Sequence, residues 1–166
     1  RGMKKKTLIL FLFTVLLGCQ SSTEQTEPYR VFYLNSYHEG YPSSDEVMEG
    51  IMEVLDSAKI EVAVRFMDTK RKNQSEEIEA STQSAIATIK SFKPDVLIAS
   101  DDNAVKYVVV EKFKNGPFPV VFCGVNWSAE QYQLPKKQVT GMLEVLPIDQ
   151  TVNTIKSYYP ELKKVF

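Results

Sequence analysis

The sequence predicts an α/β fold, a doubly wound, mainly parallel sheet flanked by helices, on three observations. From Arg30 onward short β-rich runs alternate with stretches of helical periodicity. The strand candidates are continuous apolar runs, the pattern of strands covered on both faces of a parallel sheet. A helix follows each of the first three strands, so the connections are crossovers and not hairpins. At 166 residues, 43% hydrophobic and 25% charged, the chain is long enough for one domain with a core and too short for two.

The N-terminus comes first in chain order. Met3-Lys4-Lys5-Lys6 is a basic stretch, and Thr7 to Leu17 is an apolar run ending at Gly18-Cys19. That run is about half the ~20 residues a spanning helix needs, so 1–18 reads as a cleaved signal peptide. Leu16-Leu17-Gly18-Cys19 resembles a bacterial lipobox, which implies lipidation of Cys19, and 19–28 reads as a polar tether. Arg1-Gly2 ahead of the methionine looks like a remnant.

Val31-Phe32-Tyr33-Leu34 is the first strand. Ser43 with Glu46 makes a capping-box pattern that opens a helix carrying Val47, Met48, Ile51, Val54, Leu55 and Ala58. Glu61 to Met67 is the second strand. Ser75-Glu76-Glu77 starts a helix with Ile78, Ala85, Ile86, Ile89 and Phe92 on one side, stopped by Pro94. Asp95 to Ala99 is the third strand and Asn103 to Phe113 the third helix, closed at Asn115-Gly116-Pro117. Pro119 to Cys123 and Val139 to Val145 complete the strands.

Composition excludes two classes. Four of the 20 basic residues precede any acidic one, which leaves 16 against 21 acidic residues in the body; that balance gives no basic footprint for nucleic acid. Two cysteines, Cys19 and Cys123, and a single histidine make a disulfide framework or a zinc site improbable. Cys123, inside an apolar run, is expected to be a buried, inert thiol. No glycine-rich phosphate fingerprint or serine elbow is present, so neither an enzyme nor a bound cofactor or metal is expected.

In such sheets the ligand crevice lies beyond the carboxyl ends of the strands. Three segments converge there: Asn35 to Pro42 after the first strand, Ser100 to Asn103 after the third and Gly124 to Trp127 after the fourth. The candidate ligand-binding residues are Ser36, Tyr37, His38, Tyr41, Ser100, Asp101, Asp102, Asn103, Asn126 and Trp127. They supply hydroxyls, amides and rings, the mixture small-molecule sites use. Each has a plainer alternative. His38 is a cleft contact or a solvated loop residue, and it lacks the nucleophile a general base would serve. One of Asp101 and Asp102 caps the third helix and the other is solvated, or both meet ligand. Trp127 is a stacking surface or a lid over the lobe's edge. Lys70-Arg71-Lys72 reads as a solvated run, and loss of the Lys70 side chain is expected to matter little.

Four segments in order carry a family resemblance. They are Tyr33 to Pro42, Phe66 to Arg71, Ser100 to Ala104 and Pro119 to Asn126. The pattern resembles the first lobe of ABC-transporter solute-binding proteins of the type I periplasmic-binding fold, a Rossmann-like lobe. It is also similar to extracytoplasmic sensor domains of some histidine kinases. The resemblance implies that 29–146 is a ligand-binding lobe left after Val139-Thr140-Gly141. It implies that 147–166 is the crossover and the start of a second lobe, with Asp149 to Tyr159 as its first helix and Lys164-Val165-Phe166 opening a strand that the sequence breaks off. The implied function is an exported lipoprotein that captures a small organic solute, an amino acid among the candidates, for an ABC permease in the membrane. The alternative is a ligand-sensing domain of a kinase system, which a cleaved lipidated end disfavours. Acidic side chains after the third strand argue against phosphate or sulfate, and the aromatic rings and hydroxyls argue for a neutral, zwitterionic or cationic solute; a sugar or nucleoside stays open.

Overall fold

The structure, a computed structural model, describes residues 27–57 and 59–164. The signal peptide, Cys19, the tether up to residue 26, and Val165 and Phe166 of the expected second-lobe strand lie outside the described residues. Strands β1 (Tyr29–Asn35), β2 (Ile60–Phe66), β3 (Val96–Ser100), β4 (Val120–Asn126) and β5 (Val139–Glu144) form one sheet in the order β2-β1-β3-β4-β5. Every pairing is parallel, as the crossovers require.

The helices are α1 (Pro42–Leu55), α2 (Ser75–Phe92), α3 (Asp101–Ala104) and α4 (Ile148–Tyr158). Helix α3 runs directly into a wider helix, Val105–Phe113, whose last turn carries an i→i−5 bond from the Lys114 N–H to the Val109 carbonyl at 2.7 Å. A short 3₁₀ turn, Glu130–Tyr132, lies between β4 and β5.

The helix starts differ from the sequence reading in detail. Pro42, whose missing N–H costs nothing in a first turn, opens α1 with Tyr41 as its cap residue. Ser43 and Glu46 therefore lie inside the helix and form no capping box, and Asp45 instead accepts from the Gly40 N–H at 3.0 Å. At α2 the reciprocal contact falls on Gln74, whose N–H donates to Glu77 Oε2 at 3.2 Å.

One face of the sheet makes the core. Phe32, Leu34, Leu97, Ala99, Val120 and Phe122 point toward Ala85, Ile86 and Ile89 of α2 and Val105, Val108, Val109 and Phe113 of the wide helix. The predicted α2 stripe is therefore the buried one. Burial on both faces holds for β1 and β3 and fails at β5, which is exposed from Thr140 to Glu144. The reason is positional. Helix α1 on the second face leaves a groove of about 550 Å³ against Ile98, Cys123, Met142 and Leu143. An apolar run reports that a strand wants cover, not which element supplies it. The thiol of Cys123 is half-buried there, and burial pushes it up to about 11, so it is a poor nucleophile at neutral pH.

Helix α4 is amphipathic and buries none of its residues. Among the described residues no helix is long and apolar enough to cross a membrane, and no cluster of three potential metal ligands occurs.

Candidate functional site

The strand order places a topological switch between β1 and β3. From β1 the chain turns outward to β2, from β3 outward to β4 and β5, so the loops leaving β1 and β3 diverge and open a crevice. Both loops are held by side chains buried beneath them.

Ser36 is the central brace. Its hydroxyl donates to the Ser100 carbonyl at 2.6 Å and accepts from the Ala104 N–H at 2.8 Å. Those two backbone groups are the i and i+4 partners of an ordinary first helical turn, so the hydroxyl is inserted into that turn. The Ser36 carbonyl in turn accepts from Thr69 Oγ1 at 2.7 Å, and Thr69 accepts from Asn103 Nδ2 at 2.8 Å. The loops after β1, β2 and β3 are thereby tied together.

A second chain of hydrogen bonds runs through the interior. Ser44 donates to Asn35 Oδ1 at 2.7 Å, Asn35 Nδ2 donates to the Tyr33 hydroxyl at 3.2 Å, and Tyr33 donates to Ser100 Oγ at 3.2 Å. Ser100 ends the chain by donating to Asp101 Oδ2 at 3.4 Å. Burial raises the Tyr33 phenol to about 12, which keeps it a donor. The sequence reason is parity: residues 33, 35, 98 and 100 fall on one face because register pairs Tyr33 with Ile98 and Asn35 with Ser100.

Asp101 stands at the edge of this network under strain. Its φ is 69°, in the left-handed region, a conformation that costs about 1 kcal/mol or more for a residue with a Cβ. Asp68 and Trp127, which follow β2 and β4, share the same region at 62° and 61°. Burial raises the Asp101 carboxyl from 3.8 to about 6, with Glu144 and Asp102 adding repulsion against the donors Tyr37 and Ser100. Gly124 (φ 67°) sits at a bulge in β4, and a Cβ there would lie 3.3 Å from Asp101 Oδ1. The glycine therefore makes room for the carboxylate.

Two surfaces flank Asp101. On the β1 side Tyr37 and Tyr41 form a ring pair at 4.8 Å, and His38 packs edge-on against Tyr41 at 5.7 Å. The Tyr37 hydroxyl faces the Asp101 carboxyl, and burial together with that carboxylate pushes the phenol well above its usual range. Lys70 Nζ lies 4.5 Å from the Tyr37 ring centre and 5.3 Å from that of Tyr41. On the β4 side a groove of about 800 Å³ is lined by Asp102, Asn103, Asn126, Trp127 and Tyr132.

Asp102 organises that second surface. It accepts from Asn126 Nδ2 at 2.6 Å, from the Asn126 N–H at 3.2 Å and from the Tyr132 hydroxyl at 2.6 Å. Neither aspartate is a free solvated side chain. Asp102 holds the segment after β4, and Asp101 faces the crevice mouth.

The predicted residues thus divide. Tyr37, His38, Tyr41 and Asp101 gather at one mouth; Asp102, Asn103, Asn126 and Trp127 gather at the other. Ser36 and Ser100 lie beneath the surface and brace both. Asn126 belongs to β4 itself, because the strand runs three residues past its predicted end and only Trp127, 53% exposed, leaves it. The single histidine has its Nδ1 buried without a hydrogen bond, 3.5 Å from Asp68 Oδ1.

Sequence reasoning passed over Thr69, read Lys70 only as part of a solvated run, and passed over Tyr132; Lys70 is indeed exposed. The signal for the first two was present, since a parallel sheet carries the loop after β2 to the same edge as the other three. The basic run also divides. Arg71 pairs with Asp68 at 2.7 Å and Lys72 with Asp68 at 3.8 Å, while Lys70 turns to the rings.

A family model described as ABC transporter substrate binding protein matches residues 39–166. No curated protein sequence matches the chain. Among solved structures it is similar to one titled as the ABC domain in complex with L-Trp from Streptococcus pneumonia, at TM-score 0.59 and 16% identity. The match covers 82% of this chain and 45% of that one, so the chain spans about half the length of its structural neighbour. At that identity the likeness speaks to the fold.

Proposed function

The chain belongs to the ABC transporter substrate-binding proteins, and from that premise we propose that it captures a small organic solute outside the cytoplasm and delivers it to a membrane permease. The observation that carries the reading is the crevice at the β1/β3 switch point. It opens at the carboxyl edge of the sheet, is braced from below by Ser36, and presents the Tyr37–Tyr41 pair beside Asp101. Rings offer stacking area, and fixed polar groups set orientation. Nothing in this arrangement pairs a nucleophile with a base, so capture without chemical change suits it best.

An amino acid is the solute class we favour. An uncompensated carboxylate beside aromatic rings suits an ammonium group on an apolar body, and the structural neighbour's title names a complex with L-Trp. The basic stretch, short apolar run and Gly18-Cys19 support anchoring through a lipid on Cys19. The fold's general logic supports a second lobe after the crossover at 147–166, closing over the same crevice.

The test is a thermal-shift screen on the full-length protein with amino acids, sugars, nucleosides and organic cations, followed by calorimetry on any hit. The reading expects at least one saturable ligand that raises the melting temperature as mass action requires. A complete panel without a shift would refute it.

A further inference from the structure

We propose that Lys70 and Asp101 form a split charge pair that reads a zwitterionic solute across Tyr37, Lys70 taking its carboxylate and Asp101 its ammonium. The proposal rests on the solute-binding reading above and names the chemistry of that same crevice.

Two charges at this edge lack an ion-pair partner among the described residues. Among the described residues the ion pairs are Arg30–Glu61 and the contacts of His38, Arg71 and Lys72 with Asp68. Among the described residues Lys70 makes no ion pair with a carboxylate and Asp101 none with a cation. Both stand at the carboxyl edge of the sheet, beside a single tyrosine. Lys70 Nζ lies over the Tyr37 ring at 4.5 Å, and the Tyr37 hydroxyl faces the Asp101 carboxyl. Each of the two charges is thus related to Tyr37, and they form no ion pair with each other among the described residues. Lys70 is exposed and hydrated, whereas the half-buried Asp101 carboxylate carries a desolvation cost that an ammonium group would offset.

Span decides which ligands fit. Lys70 Nζ lies 4.5 Å from the Tyr37 ring centre and Asp101 acts on the hydroxyl of that same ring, so the two charges stand at the face and at the hydroxyl tip of one phenol. An α-amino acid holds its ammonium and carboxylate about 3 Å apart and reaches about 8 Å when each makes one hydrogen bond of ordinary length. It can therefore touch both ends, while its side chain is free to lie against Tyr37 and Tyr41. Neighbouring charges support the polarity. Asp102 and Glu144 surround the Asp101 end, and Arg71 and Lys72 are already engaged by Asp68 beside the Lys70 end.

The experiment uses the full-length protein and calorimetry with the twenty free L-amino acids, then the amide and the N-acetyl derivative of the tightest binder. The amide removes the ligand's negative charge, and the N-acetyl form removes its positive charge. Wild-type protein is expected to prefer the free amino acid to each derivative by about tenfold or more. Lys70→Met should abolish the preference over the amide and keep that over the N-acetyl form; Asp101→Asn should do the reverse, and Lys90→Met should change neither. A general disturbance would weaken all three ligand forms alike, and that outcome overturns the proposal. So does a variant that retains both preferences. If no amino acid binds but a sugar, nucleoside or simple amine does, the charge-pair inference fails and solute capture stands. If nothing binds, both fail.

Discussion

Replacing Ser36 by alanine separates a structural brace from a ligand contact. The hydroxyl is fully buried and joins the Ser100 carbonyl to the Ala104 N–H at 2.6 and 2.8 Å. Deleting it removes two hydrogen bonds and leaves one acceptor and one donor without a partner in the interior. An orphaned buried polar group costs about 1–3 kcal/mol, so the pair could cost up to about 6 kcal/mol if nothing moved. Something can move, because the freed groups are the i and i+4 partners of one helical turn and can close on each other. That closure recovers part of the loss and pulls the start of α3 inward, carrying Asp101 with it. The expected loss of stability is therefore about 2–4 kcal/mol, read from urea unfolding of the full-length protein, with weaker solute binding as a second effect. Ser43→Ala, on an exposed serine, should stay within about 0.5 kcal/mol of wild type. If Ser36→Ala unfolds at the wild-type midpoint, the inserted-hydroxyl account is wrong.

Further expectations come from the same geometry. The Asp101 carboxyl is raised in the folded protein from 3.8 to about 6, so between about pH 4 and 6 the native state holds the more protons. What Asp101 contributes to stability is thus fully present below about pH 4 and is lost as pH rises through 6. Asp101→Asn should accordingly raise the melting temperature at pH 7.5 with no gain at pH 4, while weakening binding; a lowered melting temperature at pH 7.5 would contradict this. Solute affinity itself should fall as pH drops below about 6, when the carboxylate facing Tyr37, Ser100, Asp102 and Glu144 takes its proton, and a flat profile from pH 5 to 8 would count against an ammonium contact. Gly141→Ala should destabilise by about 2 kcal/mol or more, because a Cβ there would lie 2.5 Å from the Phe122 ring and closer still to its carbonyl oxygen; an unchanged unfolding midpoint would mean β5 does not pair as described. Labelled fatty acid should enter the wild type in cells and not Cys19→Ser, and equal labelling would remove the lipid anchor from the proposal.

Most of the fold was legible because the physics that made it is local. Val31 to Leu34 and Val96 to Ala99 are apolar without interruption since helices cover them, and the stripe from Ile78 to Phe92 keeps helical spacing because one side of α2 meets the sheet. Strand ends were less legible. β4 runs on through Gly124, Val125 and Asn126 because the bulge lets the ladder resume at Val125 with Leu143, and a glycine followed by an asparagine reads as a turn. The cover of β5 was misjudged for a different reason, since Val139 to Val145 is apolar toward a face that no described helix reaches. At the site, proximity to the carboxyl edge followed from the parallel sheet, so Tyr37, Tyr41 and Asp101 could be named in advance. The division of labour could not. Whether Ser36 faces a ligand or the Ala104 N–H depends on backbone positions 68 residues apart. Nor does the run Lys70-Arg71-Lys72 tell which of its members meets Asp68, as Arg71 and Lys72 do, and which lies exposed over Tyr37, as Lys70 does.

The most direct test of the central claim is a crystal structure of the full-length protein with its bound solute. The account predicts density at the carboxyl edge of the sheet, within contact of Tyr37, Tyr41 and Asp101, with the loops after β1 and β3 in the positions Ser36 sets. Density seated instead in the groove between α1 and strands β3 to β5, with the Tyr37–Tyr41 surface empty, would contradict it.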